Sequence, residues 1–205
     1  LKQFLGKISS QESYKKWLLI LASLILLITF LHTLTPPYDY DGLMYHLQGP
    51  RLFLEEGQIQ KNNENWLTNY PFIWEMLYMF GMGLGSDIFS RVLHFSTLIL
   101  LILTTFSIGK RFLNEKVGWF SVAILLGNPQ LLVWSIFSYI DIAWTLVQAI
   151  TVFIILVWHR ERKSSYLIMA GLFQGISLST KYLAIGALLL ILIIITCVKL
   201  REITT

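Results

Sequence analysis

The chain has 205 residues, is 55% hydrophobic and only 14% charged, and carries a mean hydropathy of +0.63. Soluble domains hold about 25% charged residues, so this composition excludes a soluble globular protein and reads as a membrane protein. The net charge of +4 does not indicate a nucleic-acid partner, because the basic residues are scattered between apolar runs and form no stripe. The one cysteine, Cys197, has no partner in the sequence, which excludes disulfides and cysteine metal sites.

A membrane crossing needs roughly 20 mostly apolar residues. Trp17–Leu34 supplies the first and ends at the breaker Pro36-Pro37. Residues 35–87 follow as one large segment outside the bilayer, with an amphipathic interfacial helix expected from Gly42 to Glu56, built on Leu43, Leu47, Leu52 and Phe53 and stopped by Gly57. Asn62-Asn63-Glu64-Asn65 reads as a polar turn, and Trp66, Tyr70, Phe72 and Trp74 as interfacial anchors. Phe72–Leu84 reads as a second interfacial or partly inserted helix, weakened by Gly81, Gly83 and Gly85. Five further spans are expected at Ile88–Ile108, Val117–Phe137, Ile142–Trp158, Tyr166–Thr180 and Leu183–Val198. The third span should kink or break at Asn128-Pro129. The fold class is therefore all-α, a multi-pass membrane protein of about six transmembrane helices.

The basic residues set an orientation. With the N-terminus cytoplasmic, 12 lysines and arginines fall inside and 4 outside, while the acids divide 4 inside and 8 outside. No removable signal peptide is evident. The chain lacks an initiator Met and is read as a portion of a longer protein, a single module over 1–205 incomplete at its C-terminus.

Polar residues at membrane depth mark functional sites. Asp41 lies just beyond the first span, where either it or Asp39 caps the helix opening at Gly42; a carboxylate there can also face a cavity, and the two readings are compatible. Asp141 lies between spans three and four on the same external face, with the same two readings. As hard oxygen ligands, Asp41 and Asp141 are candidates to share a divalent cation, Mg²⁺ or Mn²⁺. Lys181 joins the last two spans, so it either snorkels to the headgroups or binds an anion such as a phosphate, with Thr180 and Tyr182 beside it. Arg51 and Glu55 are spaced for a modest surface ion pair. His46 on its own reads as a structural hydrogen-bonder. Glu75 sits in an apolar stretch where an unpaired carboxylate is costly. Arg91 and His94 read as anchors of the external end of span two. Gly-rich phosphate loops, HExxH, GxSxG and Cys/His clusters are absent from the sequence.

The run Asp41-Gly42-Leu43-Met44-Tyr45-His46-Leu47 with Pro50, Leu54 and Gly57 resembles the first external loop of GT-C membrane glycosyltransferases. The nearest group is the phospholipid-carrier-dependent branch, which includes protein O-mannosyltransferases and the lipid A aminoarabinose transferase. Tyr70-Pro71, Glu75-Met76-Leu77, Arg91-Val92-Leu93-His94, Tyr139-Ile140-Asp141-Ile142-Ala143, Gly171-Leu172-Phe173 and Thr180-Lys181-Tyr182 follow in the family's order. The resemblance implies an inverting transfer from a polyprenyl-phosphate sugar to an acceptor hydroxyl at the outer face of the plasma (inner) membrane. It makes Asp41 the general base and Lys181 the cation stabilising the departing phosphate, and has Asp141 orient the acceptor or a metal. Tyr45, His46, Arg51, Glu75 and Arg91 complete the candidate substrate-binding set. Family members usually run longer, and some carry an Asp-Glu pair where Asp41 here precedes Gly42. The alternatives are a transporter or flippase of a lipid-linked substrate, and a non-catalytic membrane scaffold. Acids clustered in loops rather than in mid-span weigh against translocation.

Overall fold

The computed structural model describes the backbone of residues 2–204 and the side chains of residues 13–201. Every regular element among the described residues is helical, in agreement with the sequence reading. Helix α1 (Lys2–Thr33) is followed by the segment outside the long helices, which holds a π-helical turn (Gly42–His46), α2 (Gln48–Glu56), a 3₁₀ turn (Trp66–Asn69) and α3 (Ile73–Gly83). The remainder is α4 (Ile88–Phe112), α5 (Glu115–Leu126), α6 (Pro129–Ser135), α7 (Asp141–Glu161), α8 (Ser164–Leu178) and α9 (Ala184–Thr204).

Four helices are long and apolar enough to cross a membrane: α1 over Ser13–Thr33, α4, α7, and α9 over Ala184–Arg201. The α5–α6 pair reaches that length only when its two helices are taken together across a 71° bend, as a broken span or a re-entrant loop. The sequence places that bend: Asn128 caps α6 by accepting from the backbone N–H groups of Gln130 and Leu131, and Pro129 takes the first helical position, where its missing N–H costs nothing. The sixth expected passage, α8, has 15 residues. At 1.5 Å per residue it is about 22 Å long, short of the roughly 30 Å hydrocarbon layer.

The core lies between α4 and α7. Phe95, Leu98 and Leu101 pack there on Ile142 and Leu146, with Leu26 and Phe30 of α1 against them. A second cluster joins Ile154, Ile155 and Trp158 of α7 to Ala170 of α8 and to Ile191, Ile195 and Val198 of α9. Helices α4 and α5 form a tight hairpin in which a β-carbon on Gly109 would stand 2.8 Å from the Gly118 α-carbon. Only glycine at both positions permits that approach. The turn is closed by Asn114, whose side chain accepts from the Val117 N–H at 3.0 Å.

The expected amphipathic helix over residues 42–56 exists but is not continuous. The Leu47 N–H bonds to the Gly42 carbonyl at 2.8 Å, five residues back, which opens a π turn before α2 begins. The extra residue rotates the face: Leu43 is exposed, whereas His46 and Leu47 are buried. Gly57 stops α2 at a φ of 67°, the left-handed conformation that glycine adopts without strain. Arg51 pairs with Asp87 at 2.6 Å rather than with Glu55, tying α2 to the start of α4.

Candidate active site

The end of α1, the start of α4, the α6–α7 loop and the α8–α9 turn meet at one end of the bundle, beneath the α2–α3 segment. Arg91 holds two of these elements together. Fully buried near the start of α4, it donates to the carbonyls of His32, Thr35 and Pro36, to the Thr35 hydroxyl, and to the Ile136 carbonyl beyond α6. The Tyr38 ring lies 5.3 Å from its guanidinium. One planar fork thus ties the Pro36-Pro37 loop to the loop before Asp141. His94, one turn further along α4, bridges Phe137 and Ile142: its Nδ1 contacts the Phe137 carbonyl at 2.8 Å and its Nε2 accepts from the Ile142 N–H at 3.2 Å.

The capping question between the two aspartates of the first loop has a definite answer. Asp39 is buried, and its Oδ2 accepts from the Gly42 N–H at 2.7 Å. A β-carbon on residue 42 would collide with that carboxylate, so glycine is what lets the cap fold over the backbone. Asp41 makes no side-chain cap and is half-buried, and its carboxylate has no hydrogen bond or ion pair among the described residues.

Next to this loop lies a cavity of about 260 Å³. Five of the eight site residues singled out in the sequence line it: Tyr45, His46, Glu75, Asp141 and Lys181. Tyr70, Phe72, Thr180 and Tyr182 complete most of the wall. The Lys181 ammonium donates to Asp141 Oδ1 at 2.8 Å and lies 5.6 Å from the Trp144 ring. Asp141 is therefore a salt-bridge partner rather than a cap; the residue before α7, Ile140, offers no side-chain cap. His46 Nδ1 meets Glu75 Oε1 at 2.7 Å, with both side chains almost completely buried. The Tyr45 ring lies 4.0 Å from the imidazole and the Tyr139 ring 5.7 Å from it. The buried Tyr78 hydroxyl donates to the Tyr139 carbonyl, which secures the loop behind them.

Asp41 is not part of the cavity wall, but its charge reaches it. Burial raises the Tyr45 phenol well above its ordinary value, and the carboxylates of Asp41, Asp141 and Glu75 raise it further. Burial followed by Asp39, Asp41 and Asp141 pushes Tyr139 up to about 12. Both phenols therefore stay protonated at neutral pH and do not serve as bases. Arg51 and Arg91 lie outside the cavity wall, engaged with Asp87 and with backbone carbonyls respectively. Among the described residues no three His, Cys, Asp or Glu side chains come together as a ligand set.

Sequence reasoning missed two features. One is the His46–Glu75 pair, whose members are 29 residues apart; the unexplained acid in an apolar helix was the available signal. The other is the part of Tyr139, whose ring and carbonyl both serve the site.

The model of the dolichyl-phosphate-mannose-protein mannosyltransferase family matches residues 69–204, about two-thirds of the chain. The matched region holds Glu75, Arg91, Asp141 and Lys181, while Asp41, Tyr45 and His46 precede it. No curated protein and no solved structure matches the chain. With helices of membrane-crossing length, a cavity at one end of the bundle and a match over this much of its sequence, the chain belongs to the dolichyl-phosphate-mannose-protein mannosyltransferase family of membrane glycosyltransferases.

Proposed function

We propose that the protein transfers a sugar from a polyprenyl-phosphate donor to an acceptor hydroxyl at the extracytoplasmic face of the plasma (inner) membrane, with Asp41 as general base. The observation that carries this reading is the division of labour between Asp39 and Asp41. Asp39 caps the turn, which leaves the Asp41 carboxylate uncommitted, near enough for its charge to act on Tyr45 in the wall of a cavity that holds a lysine. A carboxylate with no structural partner is free to accept a proton.

In this reaction the acceptor oxygen attacks the anomeric carbon as Asp41 takes the hydroxyl proton. The bond from the anomeric carbon to the phosphate oxygen breaks, and its electron pair leaves with the lipid phosphate. Attack opposite the leaving group inverts the anomeric configuration. Lys181 has three N–H donors, of which Asp141 occupies one, so the others are available to the phosphate as its charge develops. The aspartate holds the ammonium at the cavity wall. The sidedness rests on charge: the cavity lies at the end of the bundle that carries few basic residues, and the opposite end holds Lys110, Arg111, Arg160 and Lys163.

The test is transfer in membranes containing the protein, from a panel of radiolabelled β-linked polyprenyl-phosphate sugars headed by mannose. The expected product is α-linked. Absence of transfer from every donor would overturn the assignment, and a β-linked product would overturn direct attack assisted by Asp41.

A further inference from the structure

Glu75 and His46 are among the most deeply buried ionisable side chains of the site, at 1% and 2% exposure. A buried carboxylate is costly unless fully satisfied, and this one is not: Oε1 meets His46, while Oε2 is sealed from solvent and has no partner. A buried polar group of this kind calls for an explanation, and a functional role is one. What the pair arranges is the imidazole. An ionised carboxylate at Nδ1 draws the ring hydrogen to that nitrogen and leaves a lone pair on Nε2.

Nε2 has no partner among the described residues, yet it is not among their sealed, unsatisfied polar atoms, which in this part of the molecule are Asp39 Oδ1, Trp74 Nε1 and Glu75 Oε2. His46 lines the cavity, and we place this nitrogen on its cavity side. The Tyr45 and Tyr139 rings pack beside the imidazole and hold it in place. The cavity thus has two chemically opposite features. Lys181 donates and suits an anion, whereas the Nε2 lone pair accepts and suits a hydroxyl. A phosphate, which only accepts hydrogen bonds, has no favourable contact with that lone pair.

We propose that His46 Nε2 accepts a hydrogen bond from one hydroxyl of the transferred sugar, and that Glu75 is the positioning residue that fixes the required tautomer. The inference rests on the donor-site reading above and assigns its sugar subsite. The volume agrees: about 260 Å³ lies just below the roughly 300–1,000 Å³ range for drug-sized ligand pockets, which suits one sugar ring.

The experiment compares kcat/KM for polyprenyl-phosphate mannose and for analogues deoxygenated singly at each ring hydroxyl, in wild type, His46→Ala and Glu75→Gln. The wild type should lose about ten- to a hundredfold on one deoxy donor. His46→Ala should lose that discrimination while treating the other analogues as the wild type does. Glu75→Gln, nearly isosteric and able to donate to Nδ1, reverses the tautomer and should weaken discrimination at the same hydroxyl. It carries the test if the alanine variant fails to fold. A merely structural role for the pair would lower all rates together and leave the ratios between donors unchanged, and that result would overturn the proposal alone. No transfer by the wild type from any donor would overturn the glycosyltransfer reading and this subsite with it.

Discussion

Two aspartates two residues apart do different work, and the difference is set by one glycine. The sequence offered Asp39 and Asp41 equally as caps; the choice follows from Gly42, whose missing side chain leaves room for the Asp39 carboxylate over the turn. Asp39→Ala should therefore cost about 1 kcal/mol of stability, the usual value of a lost cap, read as a lower melting temperature in detergent. Asp41→Asn should leave melting unchanged. At Lys181, replacement by Met should lower transfer by about a hundredfold or more, the scale of removing one charge-stabilising donor. It should do so with little loss of stability, because the pair with Asp141 is partly exposed. A melting temperature that falls in step with activity would make Lys181 structural. The sequence singled out Glu75, Asp141 and Lys181 because charge is rare in such apolar surroundings. It did not show their partners, which lie 29 and 40 residues away and are joined only by the packing of separate helices.

At the scale of elements, hydropathy located every long helix, and Asn128-Pro129 located the bend, since both depend on local chemistry. The π turn was not legible. Leu43 and Leu47 have the spacing of one helical face, and only the tertiary burial of His46 reveals that the face rotates between them. The shortness of α8, by contrast, was legible: the expected passage Tyr166–Thr180 has 15 residues, as has the helix Ser164–Leu178. The α4–α5 hairpin gives a prediction independent of chemistry. Gly109→Val places a branched side chain against the Gly118 backbone, and should destabilise by about 1–3 kcal/mol through overpacking. The hairpin is at the end of α4 remote from the cavity, so the folded fraction should keep wild-type transfer per molecule. Normal melting would show that the two helices separate without cost.

For the whole molecule, the charge asymmetry counted along the chain acquires a spatial meaning. The cavity and its acids gather at one end of the bundle; at the other, Arg111 pairs with Glu161, and Lys15 with Glu115. In a Cys197→Ser background, a cysteine placed at Asn63 should react with a membrane-impermeant maleimide in intact cells, and one placed at Lys163 only after permeabilisation. The reverse pattern would invert the topology. The proposed place of reaction is the loop beside the cavity, where the Asp41 carboxylate makes no hydrogen bond or ion pair to the described residues. The most direct test is the initial rate of sugar transfer from radiolabelled polyprenyl-phosphate mannose in membranes containing equal amounts of wild type, Asp39→Asn and Asp41→Asn. The account predicts that Asp39→Asn, which keeps a capping side chain, retains most of the activity, and that Asp41→Asn loses about a hundredfold or more. Equal rates for wild type and Asp41→Asn would contradict it.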